Sequence, residues 1–194
     1  MPIDAIKTAQ AIGILGCAFT SGCITSTTLI TIPALTLPAH KPPSSASLIQ
    51  ITPGAPISHI THQWLYIFSR GKQIFPDLAA ISSTAHVYLA WADSRESNSV
   101  CYALAAAVTM AIVPFTLTVM YPTCRGLENH ATRDDAAEVE GKEGMVTSDQ
   151  EVAKRAREDQ EALVLLRRWS GLNAVRALFP LTGAVIGFCA AVCV

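Results

Sequence analysis

Four long apolar runs, separated by polar punctuation, set the reading of this chain. The first covers about Ala9 to Leu37 and is ended by Pro38 and the Pro42-Pro43 pair. The second runs from Gln73 to Trp91, and the third from Ser99 to Tyr121, with Pro122 closing it. The fourth runs from Leu172 to Val194. At a rise of about 1.5 Å per residue, each is long enough to cross about 30 Å of hydrocarbon as a helix. The predicted fold is all-α: a single transmembrane domain of four helices over 1–194. Pro33, Pro114 and Pro180 fall within or near the ends of these runs, where proline is tolerated and marks a kink.

The polar stretches complete the organisation. Ala39 to Ser58 is rich in Pro and Ser and predicts a loop. From His59 an apolar-aromatic pattern (Trp64, Leu65, Phe68) extends the second helix backwards towards the interface, where Trp64 and Tyr66 suit the headgroup level. The short stretch Ala92 to Asn98 makes helices two and three an antiparallel hairpin. A long charged loop over 123–170 follows, disordered from Arg133 to Met145. An extra solvated helix starts in it at about 148, opened by Ser148-Asp149-Gln150-Glu151 and laced by ion pairs among Lys154, Arg155, Glu158 and Glu161. Lys7 and the run Ala9 to Phe19, followed by Thr20-Ser21-Gly22-Cys23, have the outline of a signal peptide. The apolar run continues to Leu37, so an uncleaved spanning helix is expected instead.

Composition sharpens the class. Hydrophobic residues make up 51% and charged ones 15%, against about 25% charged in ordinary soluble proteins. Nineteen of the 29 charges lie between Arg125 and Arg168, which leaves the runs nearly free of charge. A net charge of −1 offers no basic face for nucleic acid. The six cysteines have no zinc-site spacing and read as small core residues. His59 and His62 lack a third ligand nearby, so no metal is expected. Eleven Lys and Arg flank the first and third loops, against Lys7 and Arg95 on the other side. The positive-inside rule then puts 39–72 and 122–171 in the cytosol, and an endomembrane location is expected.

Candidate chemistry starts at the last run, where Leu172 to Val194 holds one charge, Arg176, with Asn173 on the same helical face. An Arg within a spanning helix is costly unless it finds a partner or a cavity. Asp77 lies four residues into the second run and Arg176 four into the fourth, so the two enter at similar depth and are expected to pair. Thr116, Thr118 and Thr123 belong to the same half, and His86 lies roughly 13 Å deeper than Asp77 by helical rise. The residues alone leave two readings open: a polar interior site facing the cytosolic leaflet, or an ion pair that locks the bundle.

Segments in order along the chain resemble the fungal anthrone oxygenase family. They are Ser21-Gly22 with Ser26 and Ile32-Pro33-Ala34-Leu35; Gln63-Trp64, Tyr66, Gly71, Pro76, Leu78-Ala79 and Tyr88-Leu89-Ala90; Pro114-Phe115-Thr116, Met120, Pro122, Thr123 and Leu127; and Trp169, Asn173, Arg176 and Pro180. Position 124 departs: the family commonly has Asn after the Pro-Thr, and here it is Cys124. The resemblance implies a membrane monooxygenase that converts a tricyclic polyketide anthrone to the anthraquinone with O₂ as co-substrate. It further implies fungal secondary metabolism and no metal or flavin cofactor. The expected partners are a small aromatic substrate and the lipid bilayer. On that reading Arg176 and Asn173 stabilise the enolate or peroxide oxygen, and Asp77 or His86 takes the proton. Trp64, Gln63, Thr116, Thr123 and Trp169 contact the substrate, with interface anchoring the alternative for the two tryptophans. The competing function is a non-catalytic tetraspan scaffold or complex subunit. A small transporter is disfavoured by the lack of an inverted repeat.

Overall fold

A computed structural model describes residues 3–38, 53–93, 95–139 and 149–192. Among these residues the secondary structure is helical, and four long rods form an antiparallel bundle. The first rod is α1 (Ile3–Ser26), prolonged by a π turn (Thr27–Thr31) and one helical turn (Ile32–Leu35). The second is α2 (Ile57–Ala92). The third is α3 (Glu96–Met110), joined through Ile112–Phe115 and a second π turn (Thr116–Met120) to α4 (Tyr121–Val139). The fourth is α5 (Asp149–Val192). Helix α1 packs on α2 and α5, and α3 packs on the same two, so α1 and α3 take opposite corners. Helix α4 closes one end of the bundle between α2 and α5.

Both π turns have one cause visible in the sequence. Each ends two residues before a proline: Thr31 precedes Pro33, and Met120 precedes Pro122. Proline has no N–H for the carbonyl four residues back, and its ring clashes with that carbonyl. Widening the preceding turn relieves the clash and keeps the helix going. The Ile32 N–H accordingly donates to the Thr27 carbonyl, a five-residue step. Pro122 was expected to close the third run, but the helix passes through it and on to Val139. At the other end the α2–α3 turn is tight because Asp93 serves as its hub. Its carboxylate accepts from the Arg95 N–H at 3.0 Å and from Asn98 Nδ2 at 3.2 Å.

Helix α2 begins at Ile57, in line with the extension expected from His59, and elsewhere the rods are longer than the expected spans, which changes two readings. The helix expected from about 148 and the last span are one continuous rod, α5, because nothing between Asp149 and Leu172 breaks helical geometry. Arg133 lies within α4 and donates to Glu158 of α5 at 2.6 Å. The rest of the expected loops (39–52, 140–148 with its Ser148 cap) and Cys193 lie outside the described residues.

Among the described residues, three stretches are long and apolar enough to cross a membrane: Asp4–Leu35, Glu96–Arg133 and Gln150–Val192. Helix α2 has the length and packs along α1 and α3 as the fourth rod of the bundle, but Gln73, Asp77, Ser82, Ser83, Thr84 and His86 make it less apolar than the other three. Large apolar side chains such as Leu15, Phe19, Leu104, Leu117 and Phe188 cover the outside of the bundle, as a protein solvated by lipid requires. Inside, small residues bring helices together: a Cβ at Gly183 would collide with Thr109 Oγ1 and stand 3.1 Å from the Ala105 carbonyl.

Candidate active site

Arg176 is 6% exposed, and its Nε has no partner among the described residues. Its guanidinium lies under the Phe75 ring, 5.7 Å from the centroid. The expected Asp77–Arg176 pair does not form, and Asp77 is exposed. Two residues of helix turn the chain by about 200°, so buried Ala79 faces the core while Asp77 faces away. Equal depth along an axis said nothing about azimuth.

Two cavities meet at Arg176. One, of about 190 Å³, is lined by Phe68, Phe75, Ile112, Thr116, Cys124 and Arg176, with Lys72, Tyr121 and Glu128 among the remaining side chains. The other, of about 250 Å³, is bordered by Thr27, Tyr66, Arg70, Phe75, Trp169 and Arg176. Phe68, Gly71 and Phe75 are common to both and form the partition between them. Their spacing puts them on one face of α2. The Phe75 ring lies against bare backbone, since a Cβ at Gly71 would stand 2.9 Å from Phe75 Cε2. Both π turns border this region: Thr27 belongs to the second cavity, and Thr116 and Leu117 to the first.

An aromatic wall stands behind the partition. Trp64 and Trp169 are fully buried and meet edge to face at 5.7 Å, and Trp64 stacks on Phe68 at 5.1 Å. Neither tryptophan is at the bundle surface, so interface anchoring is corrected to core packing. Asn173 is buried one turn before Arg176. Its amide donates to the Ile24 carbonyl at 3.2 Å and to Thr28 Oγ1 at 2.9 Å, while its Oδ1 has no partner. It therefore ties α5 to α1 where α1 opens into its π turn. Thr116 lines the first cavity, with its hydroxyl donating to the Ile112 carbonyl at 2.7 Å. Thr123 is buried with an unpartnered hydroxyl, and Gln63 is half-buried; neither lines either of these two cavities. Cys124 does, so the position that departs from the family pattern faces the space a ligand would fill.

His86 is not part of this site. It is fully buried beside Gly187 of α5, about 16 Å along the helix from Arg176 by rise. Both its ring nitrogens lack partners among the described residues, and it stacks on Tyr102 at 6.3 Å. Among the described residues no three His, Cys, Asp or Glu side chains come close enough to share a metal ion.

Among the cavity residues that went unnoticed in the sequence are Phe68 as a partition residue, Phe75, Lys72 and Glu128. The first three were legible as an i, i+4, i+7 stripe on α2. Glu128 was hidden because ending the helix at Pro122 put it in a loop. Extended through Pro122, Tyr121, Cys124 and Glu128 fall on one face.

The match to a known family covers this same region. The model described as anthrone oxygenase matches residues 64–186, from the first tryptophan of the wall to ten residues past Arg176. An anthrone oxygenase of Aspergillus fumigatus is 33% identical over 94% of this chain and 91% of its own length. A monooxygenase of Dothistroma septosporum is 31% identical over 92% of this chain and 80% of its own. A noranthrone monooxygenase of Aspergillus flavus is 29% identical over 92% and 70%. No solved structure matches. With every residue lining the first cavity inside the matched region, and relatives alike over most of both chains, the chain belongs to the anthrone oxygenase family.

Proposed function

We propose that this chain oxidises a polyketide anthrone, of the emodin anthrone type, to the anthraquinone with O₂, and that the substrate binds beside Arg176. One observation carries the placement: a buried guanidinium with no carboxylate partner among the described residues, open to two cavities and walled by aromatic rings. A flat, greasy tricycle partitions into the bilayer and packs against such a wall. Its central methylene is acidic because the carbanion is delocalised over two aryl rings and a carbonyl. The resulting enolate is electron-rich enough to pass one electron to O₂ directly, so neither metal nor flavin is required. A fixed cation is worth most where charge develops in a water-poor site. Arg176 serves the enolate oxygen and then the superoxide or peroxide, with Asn173 holding it in register through α1. The cavity end faces the cytosolic leaflet, as Arg70, Lys72, Arg125, Arg167 and Arg168 at that end favour.

The test is aerobic incubation of membranes containing the protein with emodin anthrone, with protein-free membranes as control for spontaneous oxidation. Accelerated quinone formation that survives chelation is expected. It should fall about 10²- to 10³-fold in Arg176→Ala with the protein still in the membrane. No acceleration with any of several anthrones, or full activity in Arg176→Ala, would overturn the reading.

A further inference from the structure

The proposed reaction must remove a proton from carbon, and neither residue expected to do so is beside Arg176. Asp77 points out of the bundle, and His86 sits in a separate part of the core. We propose that Glu128 is the base. This rests on the functional reading above and adds a catalytic residue to it.

The geometry carries the assignment. Glu128 lines the same cavity as Arg176, one helical turn beyond Cys124, and is half-buried there. Its carboxylate makes no hydrogen bond or ion pair among the described residues, so its lone pairs are uncommitted. The other polar groups on this cavity are a thiol, a phenol, an ammonium, a hydroxyl and a guanidinium, all of which ordinarily carry their protons at neutral pH. A carboxylate is the one type in the set that accepts a proton in its ordinary state. An anthrone in this cavity thus has a base on α4 and a fixed cation on α5.

The proton balance then closes on one side chain. Glu128 takes one methylene hydrogen as a proton, the C–H electron pair enters the enolate, and Arg176 holds the oxygen. One electron passes from enolate to O₂, and recombination of the two radicals forms the C–O bond of a peroxide anion. Glu128 returns its proton to that anion, giving the hydroperoxide. It then takes the second hydrogen from the same carbon as the O–O bond breaks. That C–H pair forms the new carbonyl, and the departing hydroxide collects the proton as water. One anthrone and one O₂ give one quinone and one water.

The experiment separates deprotonation from oxidation. Full-length protein in membranes is mixed with emodin anthrone in D₂O without O₂, and deuterium entry at the methylene is followed by mass spectrometry against protein-free membranes. Wild type should accelerate the exchange, and Glu128→Gln should lose about 10²-fold or more of that acceleration. Asp77→Asn, on the outward face of α2, should keep it. With Glu128→Ala, added formate should restore part of the exchange, which a merely structural carboxylate would not allow. Exchange in Glu128→Gln within threefold of wild type, or its loss only in Asp77→Asn, overturns Glu128 as base while leaving the oxygenase reading intact. A wild type that accelerates neither exchange nor aerobic quinone formation sinks the oxygenase reading itself.

Discussion

Two regions of this bundle bury a nitrogen-rich side chain without a partner, and they are built in opposite ways. Around His86 the helices close on the ring. A Cβ at Gly13 would stand 2.8 Å from its Nε2 and one at Gly187 2.5 Å, so two bare backbones on α1 and α5 clasp it while Tyr102 stacks on its face. Around Arg176 the neighbours are large and aromatic, both adjoining rods are widened by π turns, and two cavities remain. The same kind of residue is closed in by packing in one place and left bordering open space in the other. An unpartnered buried polar atom marks a site only where space is left beside it.

The contrast can be broken at either end. The largest effect is expected from Arg176→Ala, a loss of about 10²- to 10³-fold in turnover with the thermal midpoint little changed, since losing the cost of a buried unpaired charge offsets the lost contacts. At the His86 end the pattern should invert. Gly187→Val should cost roughly 1–3 kcal/mol of stability by overpacking, read as a lower midpoint in detergent. Adding His86→Ala should recover part of it; additive losses would mean that the ring and the glycine are not in contact. Phe75→Ala removes the partition and the ring over the guanidinium. A rise in KM of roughly tenfold with a smaller change in kcat is expected, in line with about 1–2 kcal/mol of lost aromatic contact. The smallest effect belongs to Asp77→Asn, with turnover within about twofold of wild type. A large loss there would restore the pairing that the outward position of Asp77 denies.

How much could be read in advance differs between elements for physical reasons. Four helical rods follow from four apolar runs, and the α2–α3 hairpin follows from its short polar turn. The end of the third helix was read too early because Pro122 stood for a stop. There, as at Pro33 within the first run, the backbone widens into a π turn instead, an option that local propensity does not reveal. The polar composition of α2 was visible, yet it still took the folded bundle to show that Ser82, Ser83 and His86 face inward. Arg176 was identified as the focus from its cost in an apolar run. Trp64, Trp169, Thr116 and Cys124 followed from the family resemblance, and all four lie at or behind the cavities.

The sequence by itself determined the helical class, the apolar exterior, the family and the one charge that had to find a cavity. Periodicity and hydropathy are local quantities, and they are enough for these. Only the tertiary structure decided which groups surround that charge. Rotation about each helix axis separates Asp77 from Arg176, while helix α4, continued through Pro122, brings Glu128 to the cavity. Azimuth and helix continuity are fixed by packing among rods far apart in sequence, and no single stretch of the chain records them.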